Sequence, residues 1–182
     1  MSFVGKEFIT SATKRLKYYK DLGDKTFAQL NDWDFHYQPN EESNSIAIII
    51  QHMAGNMLSR WTNFLTEDGE KEWRQRDDEF AIHEYKKEQL LELWEKGWAC
   101  FLDALESLKK KDLKKTIYIR QEPLFVIDAI NRQLAHYPYH VGQIIHIAKI
   151  IKGKNWSNLS IPKGQLQTYN VSTEIKDPAK NF

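Results

Sequence analysis

His136 and His140 stand four residues apart in the stretch Ala135-His136-Tyr137-Pro138-Tyr139-His140-Val141. Side chains at i and i+4 share one side of a helix, with Cβ atoms about 5–6 Å apart, so two imidazoles there can converge on one divalent cation without any loop having to order. Two ligands rarely hold a metal tightly, and a third is needed. The residues between the histidines are Tyr137, Pro138 and Tyr139. No Glu follows the first histidine, which argues against peptide hydrolysis of the zinc-protease type. His52, in a separate predicted helix, supplies the third imidazole. A lone histidine on a helix flank is ordinarily satisfied by a neighbour, and a His52 to Asn56 hydrogen bond is the alternative there. Three histidines in matching flank positions on two helices favour the metal.

The elements that position them follow from apolar spacing. Ile130, Leu134, Tyr137, Val141, Ile144, Ile145, Ala148 and Ile151 recur at the three- and four-residue spacing of a helix buried along one face. His136, His140 and Gln143 form a second stripe about 100° round from it, at the edge of the buried face. Pro138 removes a backbone donor, so this helix either kinks there or starts there. A kink keeps the apolar period from Ile130 to Ile151 unbroken and is the preferred reading. A helix capped by Asn44 or Ser45 and running to about Leu65 carries a core stripe of Ile46, Ile49, Ile50, Met53, Met57, Trp61 and Phe64, with Ile48, His52, Asn56 and Ser59 on its flank. Asn56 and Gln143 each lie one turn beyond a proposed ligand, where they can orient an imidazole. His36, in an aromatic-rich loop over residues 31–43, and His83, just before the next helix, are expected to take no part.

Two further amphipathic helices are predicted near residues 4–30 and 85–108, and residues 116–120 alternate like a short extended piece. Pro123 suits the first position of the last helix. Together these predict an all-α, antiparallel four-helix bundle with long connections and an extended C-terminal tail: residues 1–170 as the metal-binding domain and 171–182 as a flexible end. Lys and Arg number 26 against 25 Asp and Glu, a net charge of +1, so nothing in the balance points to nucleic acid or an anionic membrane. A small-molecule substrate is the expected partner. The aliphatic run Ile46 to Ile50 is far too short to span a bilayer, and the first residues lack the apolar core of a secretion signal. A cytoplasmic location is expected. The single cysteine, Cys100, cannot form an internal disulfide.

His52 in mid-helix with His136-x-x-x-His140 in the last helix resembles the DinB/YfiT-like superfamily of metal-dependent enzymes. An uncharacterised bacterial branch is more similar still: there Asn44-Ser45-Ile46, His52-x-x-Gly55-Asn56, Ser59-Arg60-Trp61, Asp68-Gly69-Glu70-Lys71, Arg74-x-Arg76-Asp77, His140-x-Gly142-Gln143 and Ser160-Ile161-Pro162-Lys163-Gly164 recur. The resemblance reaches to about Asn170. It implies a four-helix bundle, a divalent metal (commonly nickel or zinc) on the three histidines, and homodimers. Some relatives are thiol S-transferases that use bacillithiol or mycothiol, which implies a low-molecular-weight thiol as co-substrate, and hydrolysis is the other chemistry such a metal supports. Pro138 between the ligands departs from the family's pattern. Arg60, Arg74 and Arg76, within these motifs, are candidates to bind a substrate carboxylate or phosphate, against the default of surface salt bridges. By composition residues 68–79 are a solvated linker; the resemblance instead predicts an ordered segment near the open end of the site, with at least one of Arg74 and Arg76 ion-paired. A non-catalytic metal-binding or ligand-sensing bundle is the competing class.

Overall fold

The computed structural model describes residues 2–174 and 176–182. The chain is mostly helical. Four long helices, α1 (Ser2–Phe27), α2 (Ile46–Trp61), α3 (Lys87–Ser107) and α4 (Val126–Lys152), share one apolar core, and a short α5 (Leu166–Val171) follows. α2 runs along α3 and also touches α4, while α1 packs on α4 and α3. No helix among the described residues is long and apolar enough to cross a membrane.

Local chemistry explains the ends. Ser45 caps α2, its hydroxyl accepting from the Ile48 backbone at 3.2 Å. α2 is buried nearly all round: Ile46, Ile49, Ile50, Met53 and Met57 are each at most 2% exposed, and its polar residues Gln51, His52, Asn56, Ser59 and Arg60 are buried too. Gly97 permits the close approach of α3, since a Cβ there would stand 3.0 Å from the Ala54 Cα. Ile130, Tyr137, Val141, Ile144 and Ala148 of α4 are all buried, as the spacing predicts. α4 runs unbroken through Pro138 and does not restart there.

Pro123 does not open a helix. Strands β1 (Thr116–Ile119) and β2 (Glu122–Phe125) form an antiparallel hairpin pairing Thr116 with Phe125 and Ile119 with Glu122, and α4 begins only at Val126. Arg120 and Gln121 make the reversal, both with positive φ (56° and 66°). Proline is tolerated in a two-stranded ribbon because every strand is an edge whose outward N–H needs no partner. At the other end of the chain, the Arg15 guanidinium pairs with the Asp177 carboxylate, and Ala179, two residues on, is buried.

Candidate metal centre

α2 presents His52, and α4 presents His136 and His140 one turn apart. The ring centroids lie 5.5 Å apart for His52 and His136, 5.0 Å for His52 and His140, and 4.7 Å for His136 and His140. One nitrogen from each ring lies within 4.8 Å of the others, an arrangement compatible with a single metal ion. His52 and His140 are buried and His136 is half-buried.

What orients the rings is a set of oxygens. The Nδ1 of His52 meets Glu79 Oε2 at 3.0 Å, that of His136 meets Gln133 Oε1 at 3.3 Å, and that of His140 meets Gln143 Oε1 at 2.8 Å. A carboxylate or carboxamide oxygen can only accept, so each Nδ1 donates and each Nε2 is left with a bare lone pair. The Nε2 atoms of His136 and His140 face each other at 3.0 Å. Two lone pairs at that distance repel, and a cation or a shared proton between them removes the repulsion. Burial, reinforced by the neighbouring His140 and His52, pushes His136 down to about 3, and burial also lowers His140. A shared proton is therefore disfavoured at neutral pH. Neutral imidazole is the form that ligates metals.

Glu79 reaches His52 from the connection between α2 and α3. Its carboxylate accepts two bonds from Arg74, at 2.7 and 2.9 Å, in addition to the one from His52. Burial alone would raise its pKa, but His52 and Arg74 together hold it below the usual carboxylate range. Gly55 makes room for it: a Cβ there would fall on the Glu79 carboxylate, 2.7 Å from Cδ. That close approach accounts for the glycine one turn beyond His52. The Phe80 ring lies 4.8 Å from the His52 ring and closes the same side.

The two residues expected to support the ligands are placed differently. Gln143 bonds His140 directly and is itself fixed by donating to the Tyr139 hydroxyl at 3.1 Å. Asn56 takes the Tyr137 hydroxyl at 3.1 Å instead of an imidazole, and Tyr137 in turn accepts from Trp61 Nε1 at 3.2 Å. Burial pushes the Tyr137 phenol up, so it stays protonated and donates. Asn56 thus ties α2 to α4 beside His136. Glu79 and Gln133 were not among the expected residues. Gln133 had a signal, since it sits three residues before His136 on the same stripe as Gln143.

A cavity of about 260 Å³ adjoins His52 and His136 and is also lined by Asn56, Gln133 and five arginines: Arg60, Arg74, Arg76, Arg120 and Arg132. The three arginines singled out in the sequence all face it. Arg60 donates to the Gly69 carbonyl and, at 2.7 Å, to Glu70 Oε2; Arg74 is held by Glu79; exposed Arg76 stands 3.8 Å from the Asp77 carboxylate. The connection is therefore no solvated linker here. Ser59 Oγ donates to the Gly69 carbonyl at 2.8 Å, and Lys71, Arg74 and Glu79 are buried. Of the two aromatic residues in this segment that could anchor it, Phe80 lies against the His52 ring and Trp73 is 56% exposed. His36 lies on the Tyr85 carbonyl at 2.8 Å and His83 on Asp78, both outside the cluster.

No curated protein and no solved structure matches the chain. One family model does, that of a protein of unknown function (DUF1572), over residues 3–165, which is most of the chain, and the chain belongs to that family.

Proposed function

We propose that this is a divalent-metal-dependent enzyme whose metal is held by His52, His136 and His140 and whose substrate is a small molecule. The observation that carries it is three imidazoles, each turned by an oxygen on Nδ1, with two bare Nε2 atoms 3.0 Å apart beside an open cavity. The donor set fits such an ion. Imidazole nitrogen suits zinc or nickel, and three protein ligands leave a position open to substrate, as catalytic sites do. Four long helices sharing one core, each of α1 and α2 packed on both α3 and α4 and with the ligands on two of them, support an antiparallel four-helix bundle of the DinB/YfiT-like kind.

When bound, the metal supplies a Lewis acid that makes an adjacent thiol or water easier to deprotonate at neutral pH. The chain does the rest. Glu79, Gln133 and Gln143 fix the ring tautomers, Asn56 and Tyr137 hold α4 against α2, and Arg60, Arg74 and Arg76 line the side from which a carboxylate or phosphate would be anchored. Thiol S-transfer with a low-molecular-weight thiol and hydrolysis are the two reactions such a site would serve, in a homodimer. The cavity sets this reading above a closed structural metal site, which keeps no such opening, and turnover is what separates it from a ligand-sensing bundle.

The test is metal analysis of protein purified without a histidine tag, followed by a screen of thiols against electrophiles. One metal per chain, lost in His140→Ala, together with conjugation of a thiol, is the expected result. Equal metal content in the wild type and in all three single His→Ala variants would end the metal reading; bound metal with no turnover of thiols, electrophiles or esters would favour the non-catalytic bundle.

A further inference from the structure

Five guanidinium groups line the cavity beside His52 and His136, and no carboxylate is among its lining residues. The nearby acids are few and shared. Glu70 Oε2 serves Arg60 at 2.7 Å, Arg120 at 3.1 Å and Arg74 at 3.6 Å, while Glu79 is divided between Arg74 and His52. Asp77 is fully exposed and 3.8 Å from Arg76. Arg132, on α4 one turn before His136, is exposed and has no acid paired with it among the described residues. With Asp68, which is bonded to the backbone of the Arg120 turn, the neighbouring carboxylates number four against five guanidiniums, and none of the four lines the hollow itself, so positive charge faces it, the arrangement that concentrates anions.

The arginines divide into two sets. Arg60 and Arg74 are buried, with their donors committed to Gly69, Glu70 and Glu79. Arg76, Arg120 and Arg132 are exposed and keep most of their donors free. They arrive from three separate elements: the connection, the hairpin turn and α4. Arg76 is parked over Phe80, 5.3 Å from the ring centroid, and Phe80 in turn covers His52.

Arg120 is the telling one. It occupies a turn position with φ of 56°, a backbone region where glycine and asparagine are the ordinary residues, and Gln121 follows at 66°. Apart from one bond of its Nε to Glu70, at 3.1 Å, nothing in the turn itself calls for an arginine. The turn is held by Asp68, whose carboxylate accepts from the Arg120 and Gln121 backbone N–H groups at 2.8 and 2.7 Å, and by the Gly69 N–H on the Tyr118 carbonyl at 2.8 Å. Backbone held in such a region by its surroundings is found most often at functional sites. The Arg120 side chain is on the cavity wall.

We propose that this cavity receives a multiply charged anionic group of the substrate, a phosphate or a polycarboxylate, gripped by Arg76, Arg120 and Arg132 while the rest of the molecule reaches the histidines. This rests on the three-histidine reading for what happens next to the anion, but the anion pocket itself stands on the arginines. Three forks from three elements converge on a group that offers several oxygens, where each can bond in bidentate fashion. A single carboxylate would leave at least one fork without a partner.

Isothermal titration calorimetry of the full, metal-loaded chain at low ionic strength tests it, with inorganic phosphate, tricarballylate and acetate as probes. Either phosphate or tricarballylate is expected to bind at least about tenfold more tightly than acetate, which also tells the two anion sources apart. Arg76→Gln, Arg120→Asn and Arg132→Gln are each expected to weaken that binding about tenfold, with metal content unchanged, and Arg132→Lys to recover part of the loss. Arg120→Asn suits the positive φ, so it keeps or raises the melting temperature, and its loss of affinity is not a loss of fold. No preference over acetate, or wild-type affinity in all three arginine variants, overturns the proposal. Anion binding that vanishes in His140→Ala yet survives in the arginine variants puts the anion on the metal, overturning the pocket and sparing the metal. Arginine-dependent anion binding in a chain that takes up no metal does the reverse.

Discussion

α2 and the connection over residues 68–80 approach the histidines from two directions and are held by opposite physics. α2 is anchored by aliphatic side chains with essentially no exposure, a non-directional attraction that fixes where the helix lies. The connection carries buried charge: Lys71, Arg74 and Glu79 are all within a tenth of full burial and are held by ion pairs and backbone carbonyls. His52 belongs to the first region and the oxygen on its Nδ1 to the second. Packing therefore sets the position of the imidazole, and a directional, charge-assisted contact sets its tautomer. The two can be damaged separately.

The largest effect is expected from breaking the directional side. Glu79→Ala leaves the Arg74 guanidinium, whose side chain is 2% exposed, without its bidentate partner. Removing one member of a buried pair is destabilising by about 3–5 kcal/mol, most of it the uncompensated charge. Urea unfolding should show that loss. The double variant Arg74→Met/Glu79→Leu should regain most of it, since a buried pair can often be replaced by apolar groups of similar volume. It should not regain metal affinity, because His52 still lacks its acceptor; if stability and metal affinity return together, the comparison between the regions fails.

Next comes the packing side. Ile50→Ala removes a fully buried side chain from α2 and should destabilise by about 2–5 kcal/mol. Metal bound per folded chain should stay at the wild-type value, because none of the oxygens on Nδ1 is touched. Calorimetry of unfolding paired with metal analysis of the folded fraction reads both.

These regions were unequally legible in the sequence. α2 and α4 were readable because a helix repeats its geometry every turn: once Ile46, Ile50, Met53 and Met57 define a face, His52 must lie on its edge, and the same holds for His136 and His140 beside Tyr137 and Val141. The cap at Ser45 follows from its hydroxyl chemistry. Glu79 was not readable, since its contact with His52 spans 27 residues and depends on how an irregular segment folds back. Its trace was Gly55, a glycine in the middle of a helix, whose reason is visible only once the carboxylate stands over it. The hairpin was hidden for a different cause. Its turn is Arg120-Gln121, without the glycine or asparagine that announces such reversals, and Pro123 carried the signal of a helix start.

Gly55→Ala probes the seam between the two regions. The added methyl overlaps the Glu79 carboxylate, which must move away from His52. Overpacking of this kind is destabilising by about 1–3 kcal/mol. Loss of the acceptor on a ligating histidine should lower metal affinity by about 10–100-fold. Competition with a chelator measures the second, and affinity equal to wild type would mean that Glu79 does not orient His52.

The smallest effect is expected at the far end of the connection, where Asp68 holds the hairpin turn. Burial works to raise the Asp68 pKa, but the N–H groups of Glu70, Gln121 and Arg120 outweigh it and the carboxyl titrates below its ordinary value. The sign follows: a carboxyl lowered in the folded state adds stability that is fully present above its unfolded value, about 3.9, and is lost as pH falls through the lower folded one. Amide exchange at Arg120 and Gln121 should therefore be slow at neutral pH and lose its protection as the solution is acidified below about pH 4. Asp68→Asn keeps one acceptor oxygen but no charge, so it should loosen the turn by about 1 kcal/mol at neutral pH, come level with the wild type once the wild-type carboxyl is protonated, and abolish the acid dependence. The core of α2 should not respond, its exchange being governed by apolar burial. If α2 amides lost protection together with the turn, the two regions would be one cooperative unit, and the division between packing and directional contacts would have no consequence for how the site opens.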